Sequence, residues 1–241
     1  MKLDNTTIDT LDNLLQTCNT LGFTRFIILP NKIGACDEKR VVGMIVNGSF
    51  DYFEGRGLGV NRVKVLKDRL TLAKSLGAIN LESIDSATNG DISMLQISSG
   101  RSKSQFRCAA TELIKVPKGL VSTDAYSFMI PVDLIPAISQ AESSMASEKM
   151  VIASKNGKDV FIELVDSTKD VYTFELDRPA SCLKIDSPPT SFCYGYTAKT
   201  LLPVLKEAAK AGSSHVEVIL GNKGMLFVNV NGYNIYNVAK S

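Results

Sequence analysis

The sequence predicts an α+β protein of two similar domains, each with two helices packed on antiparallel sheets. Three observations carry this expectation. Four segments place apolar residues at three- and four-residue steps, the spacing of a helix with one buried face. Many shorter runs are rich in β-branched and aromatic residues and are separated by Gly, Asn and Pro turn signals. Both halves set out these segments in one order: a helix, three or four strands, a helix, then three strands.

In the first half, "TTIDTLDNLLQTCNTLG" aligns Ile8, Leu11, Leu14, Leu15, Cys18 and Leu21 on one face and stops at Gly22. The runs "FTRFIIL", "VVGMIV" and "SFDYFE" read as strands. A second helix, "NRVKVLKDRLTLAKSLG", turns Val63, Leu66, Leu70 and Ala73 inward and ends at Gly77. The strands "AINLES", "ISMLQIS" and "SQFRCAA" follow, with "ISSGRSKSQ" holding a hairpin turn. The segment "ATELIKVPKGLVSTD", with Pro117, Gly119 and Ser122, reads as a connector. The expected organisation is therefore a domain over 1–112, a connector over 113–123 and a second domain over 124–241.

The second half opens with the strand "AYSFMI". The helix of "PVDLIPAISQAESS" then offers Leu134, Ile135 and Ile138 behind Asp133 as N-cap. "KMVIAS", "DVFIELV", "VYTFEL" and "SFCYGY" read as strands, with a turn at "KNGK". The Ser191-Phe192 strand precedes the next helix as the Ser49-Phe50 strand precedes its counterpart in the first half. That helix lies in "TAKTLLPVLKEAAKAG", and "HVEVIL", "GMLFVNV" and "YNIYNV" close the chain around turns at "GNKG" and "NG". Proline is tolerated in the first turn of a helix, where its missing N–H costs no bond. Pro136 and Pro203 therefore place the two helix starts near Asp133 and Thr200, with Lys199 at the entrance of the last helix.

Composition removes several classes of function. Of 241 residues 44% are apolar and 22% charged, enough for real cores. No run approaches the ~20 apolar residues of a membrane helix. The start "MKLDNTTIDT" lacks the apolar core of a signal peptide, so a cytoplasmic protein with no membrane partner is expected. Cys18, Cys36, Cys108, Cys182 and Cys193 are odd in number and widely spaced, which suits reduced thiols. His215 is the only histidine. No nucleophile with a base, no paired acid and base and no metal cluster can be assembled, so neither an enzyme nor a cofactor or metal is expected. The glycines of "FEGRGLGVNRVKVLKDRL" (Gly55, Gly57, Gly59) are spaced G-x-G-x-G. They match neither the dinucleotide fingerprint nor a Walker loop.

The net charge is only +2, and the basic residues gather locally. With ~100° per residue, Lys64, Lys67 and Lys74 fall on the polar side of the second helix, while Arg62 and Arg69 lie near the border of its apolar arc. On the last helix Lys206 and Lys210 lie opposite the arc of Leu201, Leu202, Val204, Leu205, Ala208 and Ala209. Lys199 joins them if the helix extends back to it. Each of these helices carries one acid, Asp68 or Glu207, whereas the first helix of each half carries Asp9 and Asp12, or Asp133 and Glu142. Lysine rows on rigid helices suit phosphates, whose attraction is electrostatic and independent of sequence. Trp is absent and aromatic residues are 7%, which disfavours a stacking platform for single strands. The partner these features suit is a nucleic-acid duplex, tracked loosely along its backbone without regard to sequence.

At this point the chain resembles the sliding clamps, the ring-shaped processivity factors of DNA replication. The likeness is to the two-domain type that forms trimeric rings, as in proliferating cell nuclear antigen and the clamps of T4-like bacteriophages. It spans the chain and is strongest over "AYSFMIPVDLIPAISQAESSMASEKMVIASKNGKDVFIEL" and from "SFCYGYTAKTLLPVLKEAAKAG" to the end. The opening "MKL…TT" before a short helix is similar to the phage clamps.

The resemblance implies a DNA clamp fold and a homotrimeric ring that encircles DNA, with a DNA polymerase and a clamp loader as partners. It implies that the helices line the hole, with Lys64, Lys67, Lys74, Lys199, Lys206 and Lys210 toward DNA. It implies ring closure between the strand holding Ser104, Gln105, Phe106, Arg107 and Cys108 and that holding Val171, Tyr172, Thr173 and Phe174 of the next copy. It further implies a pocket for partner peptides near Leu120, Val121 and Val238, and a site of action in the cytoplasm, the host's if the protein is viral. Asp9 and Asp12 depart from this expectation, because they would stand near the hole with no lysine to offset them. The alternative is a nucleic-acid-binding or phage accessory protein that does not encircle DNA.

Overall fold

The computed structural model describes residues 1–86, 90–116, 125–156, 159–176, 191–221 and 224–239. The chain divides into two compact units, Met1–Gly119 and Leu120–Ser241, and both are α+β.

Unit 1 begins with α1 (Asn5–Thr20), followed by β1 (Arg25–Leu29), β2 (Lys32–Cys36), β3 (Val42–Asn47) and β4 (Leu58–Val60). Next come α2 (Val63–Ser75), β5 (Ile79–Asp85), β6 (Ile92–Ser99) and β7 (Ser102–Arg107). The strands lie in the antiparallel orders β4-β1-β2-β3 and β5-β6-β7. The first residues extend the second sheet: Lys2 bridges Glu82, and the Leu3 N–H donates to the Leu81 carbonyl at 2.8 Å.

Local chemistry sets the boundaries of α1. The Asp4 side chain accepts from the Thr7 N–H at 2.7 Å, which caps the helix and holds the carboxyl below its ordinary range. Gly22, at φ +73°, ends it in the left-handed region that glycine enters at least cost. Helix α1 buries Ile8, Leu11, Leu14, Leu15 and Cys18, and α2 buries Val63, Leu66, Leu70 and Ala73, the faces their periodicity predicts. Against them lie sheet residues such as Leu81, Leu95, Ile97 and Phe106, each at most 1% exposed. Fully burying one such side chain stabilises by about 1.5–3 kcal/mol.

Unit 2 runs β8 (Ala125–Pro131), α3 (Leu134–Met145), β9 (Lys149–Ser154), β10 (Phe161–Val165), β11 (Val171–Glu175) and β12 (Phe192–Thr197). Helix α4 (Ala198–Ala209) follows, then β13 (His215–Gly221), β14 (Met225–Val230) and β15 (Tyr233–Val238). Its antiparallel orders are β11-β10-β9-β12 and β8-β13-β14-β15. Laid on unit 1, the elements correspond one by one. The segment Met1–Leu3 answers to β8, α1 to α3, β1–β4 to β9–β12, α2 to α4, and β5–β7 to β13–β15.

Several expectations need correction. "SFDYFE" forms turns rather than a strand, because Asp51 accepts from the Gly55 N–H at 2.6 Å and closes a local loop. The strand before α2 is β4, which pairs with one side of β1; the other side of β1 is taken by β2, whose short "KIGAC" run shows no period. Asp133 occupies the N-cap position of α3, but its side chain makes no capping bond. Helix α4 begins at Ala198 and not near Thr200, so Lys199 lies within it and Pro203 sits beyond the first turn. The proline leaves the Lys199 carbonyl without its helical donor. Lys199 is exposed, and water can take that carbonyl.

Of the three glycines of the G-x-G-x-G run, Gly57 and Gly59 have packing roles, while Gly55 stands in open space at φ +79°. A Cβ on Gly57 would stand 2.6 Å from an Asp91 carboxylate oxygen, and one on Gly59 2.3 Å from the Ala109 carbonyl. Asp91 accepts from the Thr111 N–H at 3.0 Å, so a carboxylate occupies the space that an anion would need.

Candidate nucleic-acid interface

Helix α4 presents its basic residues in one row. Its buried side is Ala198, Leu201, Leu202, Val204, Leu205 and Ala208, while Lys199, Lys206 and Lys210 are all exposed. At ~100° per residue the three lysines fall within roughly 40° of arc. The helical start at Ala198 is what brings Lys199 into line. Lys210, at the C-cap, pairs with Glu207 at 2.6 Å. Lys199 and Lys206 have no ion pair among the described residues. Lys206 also flanks an apolar groove of about 630 Å³ between α3 and α4, lined by Ile135, Pro136 and Ala209.

Helix α2 treats its cations differently. Lys64 is exposed and Lys67 half-buried, and both lie on the polar arc without an ion pair among the described residues. Lys74 pairs with Asp12 of α1 at 2.5 Å. This corrects the expectation that no lysine offsets Asp12. The two helices pack side by side, which brings residues 62 apart in sequence into one ion pair. Exposed pairs of this kind stabilise little, and salt screens them. Asp9 remains exposed, and neither α1 nor α3 contains a lysine or arginine.

Arg62 and Arg69, near the apolar border by sequence, turn away from the lysine row onto β7. Their guanidinium carbons lie 5.0 and 5.9 Å from the centre of the Phe106 ring. Arg62 donates to the Arg107 carbonyl at 3.2 Å, and Arg69 donates to the Gln105 carbonyl. These are the two residues whose role the sequence left unread, since helical spacing alone cannot show which strand lies beside the helix.

Among the described residues, the strands expected to close a ring both lie at the end of a sheet: β7 pairs only with β6, and β11 only with β10. In an antiparallel ladder, alternate residues turn their N–H and C=O toward the neighbour. The Cys108 N–H donates to the Ser93 carbonyl at 2.9 Å, so Ser104, Phe106 and Cys108 face inward along β6. Lys103, Gln105 and Arg107 face outward. Phe106 is 0% exposed, so its ring belongs to the core of unit 1 and offers nothing to a partner. Burial also pushes the Cys108 thiol up to about 12.

On β11, the Leu176 N–H donates to the Val160 carbonyl at 3.0 Å, which leaves Val171, Thr173 and Glu175 as the outward set. Val171 and Tyr172 are 53% and 52% exposed, and the rings of Tyr172 and Phe174 lie 4.9 Å apart. Of the residues expected at a peptide pocket, Val238 is half-buried on β15, whereas Leu120 and Val121 lie outside the described residues.

No protein-family profile and no curated protein matches the sequence. Solved structures do match its fold. A chain from the complex of the FEN-1 C-terminal region bound to A. fulgidus PCNA is 17% identical at TM-score 0.60, covering 97% of this chain and 96% of that one. PCNA from Thermococcus kodakaraensis is 12% identical at TM-score 0.61, covering 100% and 99%. The DNA polymerase sliding clamp from Pseudomonas aeruginosa is 13% identical at TM-score 0.63, covering all of this chain but 64% of that longer one. The chain therefore has the DNA sliding-clamp fold, over the full length of the PCNA structures.

Proposed function

We propose that the protein is a sliding clamp: three copies close into a ring around duplex DNA and tether a DNA polymerase for processive synthesis. The observation that carries this reading is the repeated α2 and α4 lysine row on a chain whose whole length has the clamp fold. Lys64, Lys67, Lys199 and Lys206 are the DNA-facing cations without a described ion pair. Lys74 and Lys210 join them by exchanging Asp12 and Glu207 for phosphate. Such a protein acts as a scaffold, without catalytic residues.

The coverage of the PCNA chains supports the two-domain, trimeric type over the longer bacterial chain. Ring closure then joins β7 to β11 of the next copy, head to tail. Three outward residues stand on each edge, with Lys103 and Arg107 on one and Glu175 on the other. Exposed Leu72 and Leu76 lie on the flank of α2 that carries Arg69, and Tyr172 is exposed on β11. The clamp loader, the phage origin, action in the cytoplasm and a peptide pocket at Leu120, Val121 and Val238 belong to the same reading. The FEN-1 tail on the A. fulgidus neighbour favours capture of partner tails.

Light scattering with retention on circular and linear DNA tests this. A clamp gives a trimer mass and stays on circular DNA but runs off linear ends. A strict monomer that binds both DNAs alike would instead establish the non-encircling alternative.

A further inference from the structure

The outward edge of β7 is already occupied by the protein itself. Of the carbonyls that face away from β6, those of Gln105 and Arg107 accept from Arg69 and Arg62. These are the acceptors that an incoming strand needs for its own N–H groups. The donors are Arg69 of α2 and Arg62 at its N-cap, 36 and 45 residues earlier in the chain, and both are held over the Phe106 ring. A guanidinium over an aromatic face keeps its planar fork directed, which lowers the entropy lost on capping a carbonyl. Hydrogen bonds from a charged donor are about twice as strong as neutral ones.

We propose that Arg62 and Arg69 are a guard on the β7 edge, which a second copy's β11 must displace before two protomers join. The inference rests on the reading of the chain as a ring-forming clamp, and it concerns how that ring is regulated. The β11 edge fits as the occupant. Its outward Val171, Thr173 and Glu175 supply N–H groups to replace the guanidinium groups, and Glu175 brings negative charge to a strand bearing Lys103 and Arg107. Two β7 edges would instead bring four arginines and like-charged strands together, so the guard also opposes the wrong pairing. The protomer thus keeps a satisfied, solvated edge, and the exchange at that edge weakens each closed junction. A ring built this way opens more readily than one whose edge carbonyls wait empty.

The test compares wild type with R62M/R69M by sedimentation equilibrium over a wide concentration range, with thermal melts to confirm folding. Methionine keeps much of the packing over Phe106 and removes the donors. The guard predicts that the assembly midpoint falls about ten-fold or more, with R62K/R69K between the two because an ammonium caps less well. If wild type forms rings and R62M/R69M assembles equally well or more weakly, the guard is wrong while the ring reading stands. If both remain monomeric at every concentration, the ring reading fails and the guard falls with it. If the methionine pair fails to fold, the lysine pair decides: a lowered midpoint supports the guard, and an unchanged or raised one overturns it.

Discussion

In α2 the unit itself engages much of the basic charge: Lys74 meets Asp12 of the neighbouring helix, and Arg62 and Arg69 are bound over Phe106 to the carbonyls of β7. In α4, at the same point of the repeat, Lys199 and Lys206 stand without an ion pair among the described residues, and Lys210 meets only Glu207 of its own helix. The difference follows from the partners. Helix α1 offers Asp12 to α2, whereas α3 carries a single acid, Glu142, and no ion pair joins it to α4 among the described residues. Two copies of one topology have thus divided the work: α2 also serves a strand edge, and α4 leaves its row open to an external anion.

The largest expected contrast between the units lies in their glycines. A Cβ on Gly59 of β4 meets a backbone carbonyl at 2.3 Å, while one on Gly195 of β12 meets the flexible end of Lys149 at 2.2 Å. G59A should destabilise by about 1–3 kcal/mol, since backbone must move. G195A should cost under about 1 kcal/mol, because a lysine tip can swing away. Denaturant melts of both check this, and equal losses would remove the distinction.

Next in size is the charge on α4. K199A/K206A should lower DNA retention ten-fold or more and reduce the slope of log K against log salt by about 0.9 per lost contact. K74A/K210A should change both less, since each of those lysines already has a carboxylate. A larger effect from the second pair would reverse the assignment of the open row. Salt titrations of binding, alongside unchanged melts, separate contact from folding.

The smallest effect belongs to Asp12. D12N releases Lys74 without changing side-chain size. DNA binding should tighten by about two- to five-fold at low salt, with the gain fading as salt rises. An unchanged affinity would mean that Lys74 never reaches the phosphates.

Much of the fold was legible because its signals are local. The buried faces of α1 and α2 appear residue for residue in the spacing of Leu11, Leu14, Leu66 and Leu70. The element order reveals the repeat, although β2 and β4 leave no pattern in it. "KIGAC" is short and holds a glycine, and "LGV" is only three residues long, so neither shows a period. "SFDYFE" has strand composition but folds as turns once Asp51 binds a backbone N–H. Within the candidate interface, the lysine rows follow from helical angle, but their ion pairs do not.

By itself, the sequence determined which segments are helical, which faces they bury and where the lysines stand on them. Each depends on periodicity within a few turns. Only the tertiary structure decided which cations remain available. The Asp12–Lys74 pair and the two arginine-capped carbonyls join residues 62, 36 and 45 positions apart. Such contacts depend on which helix and strand pack together, and local spacing does not encode that.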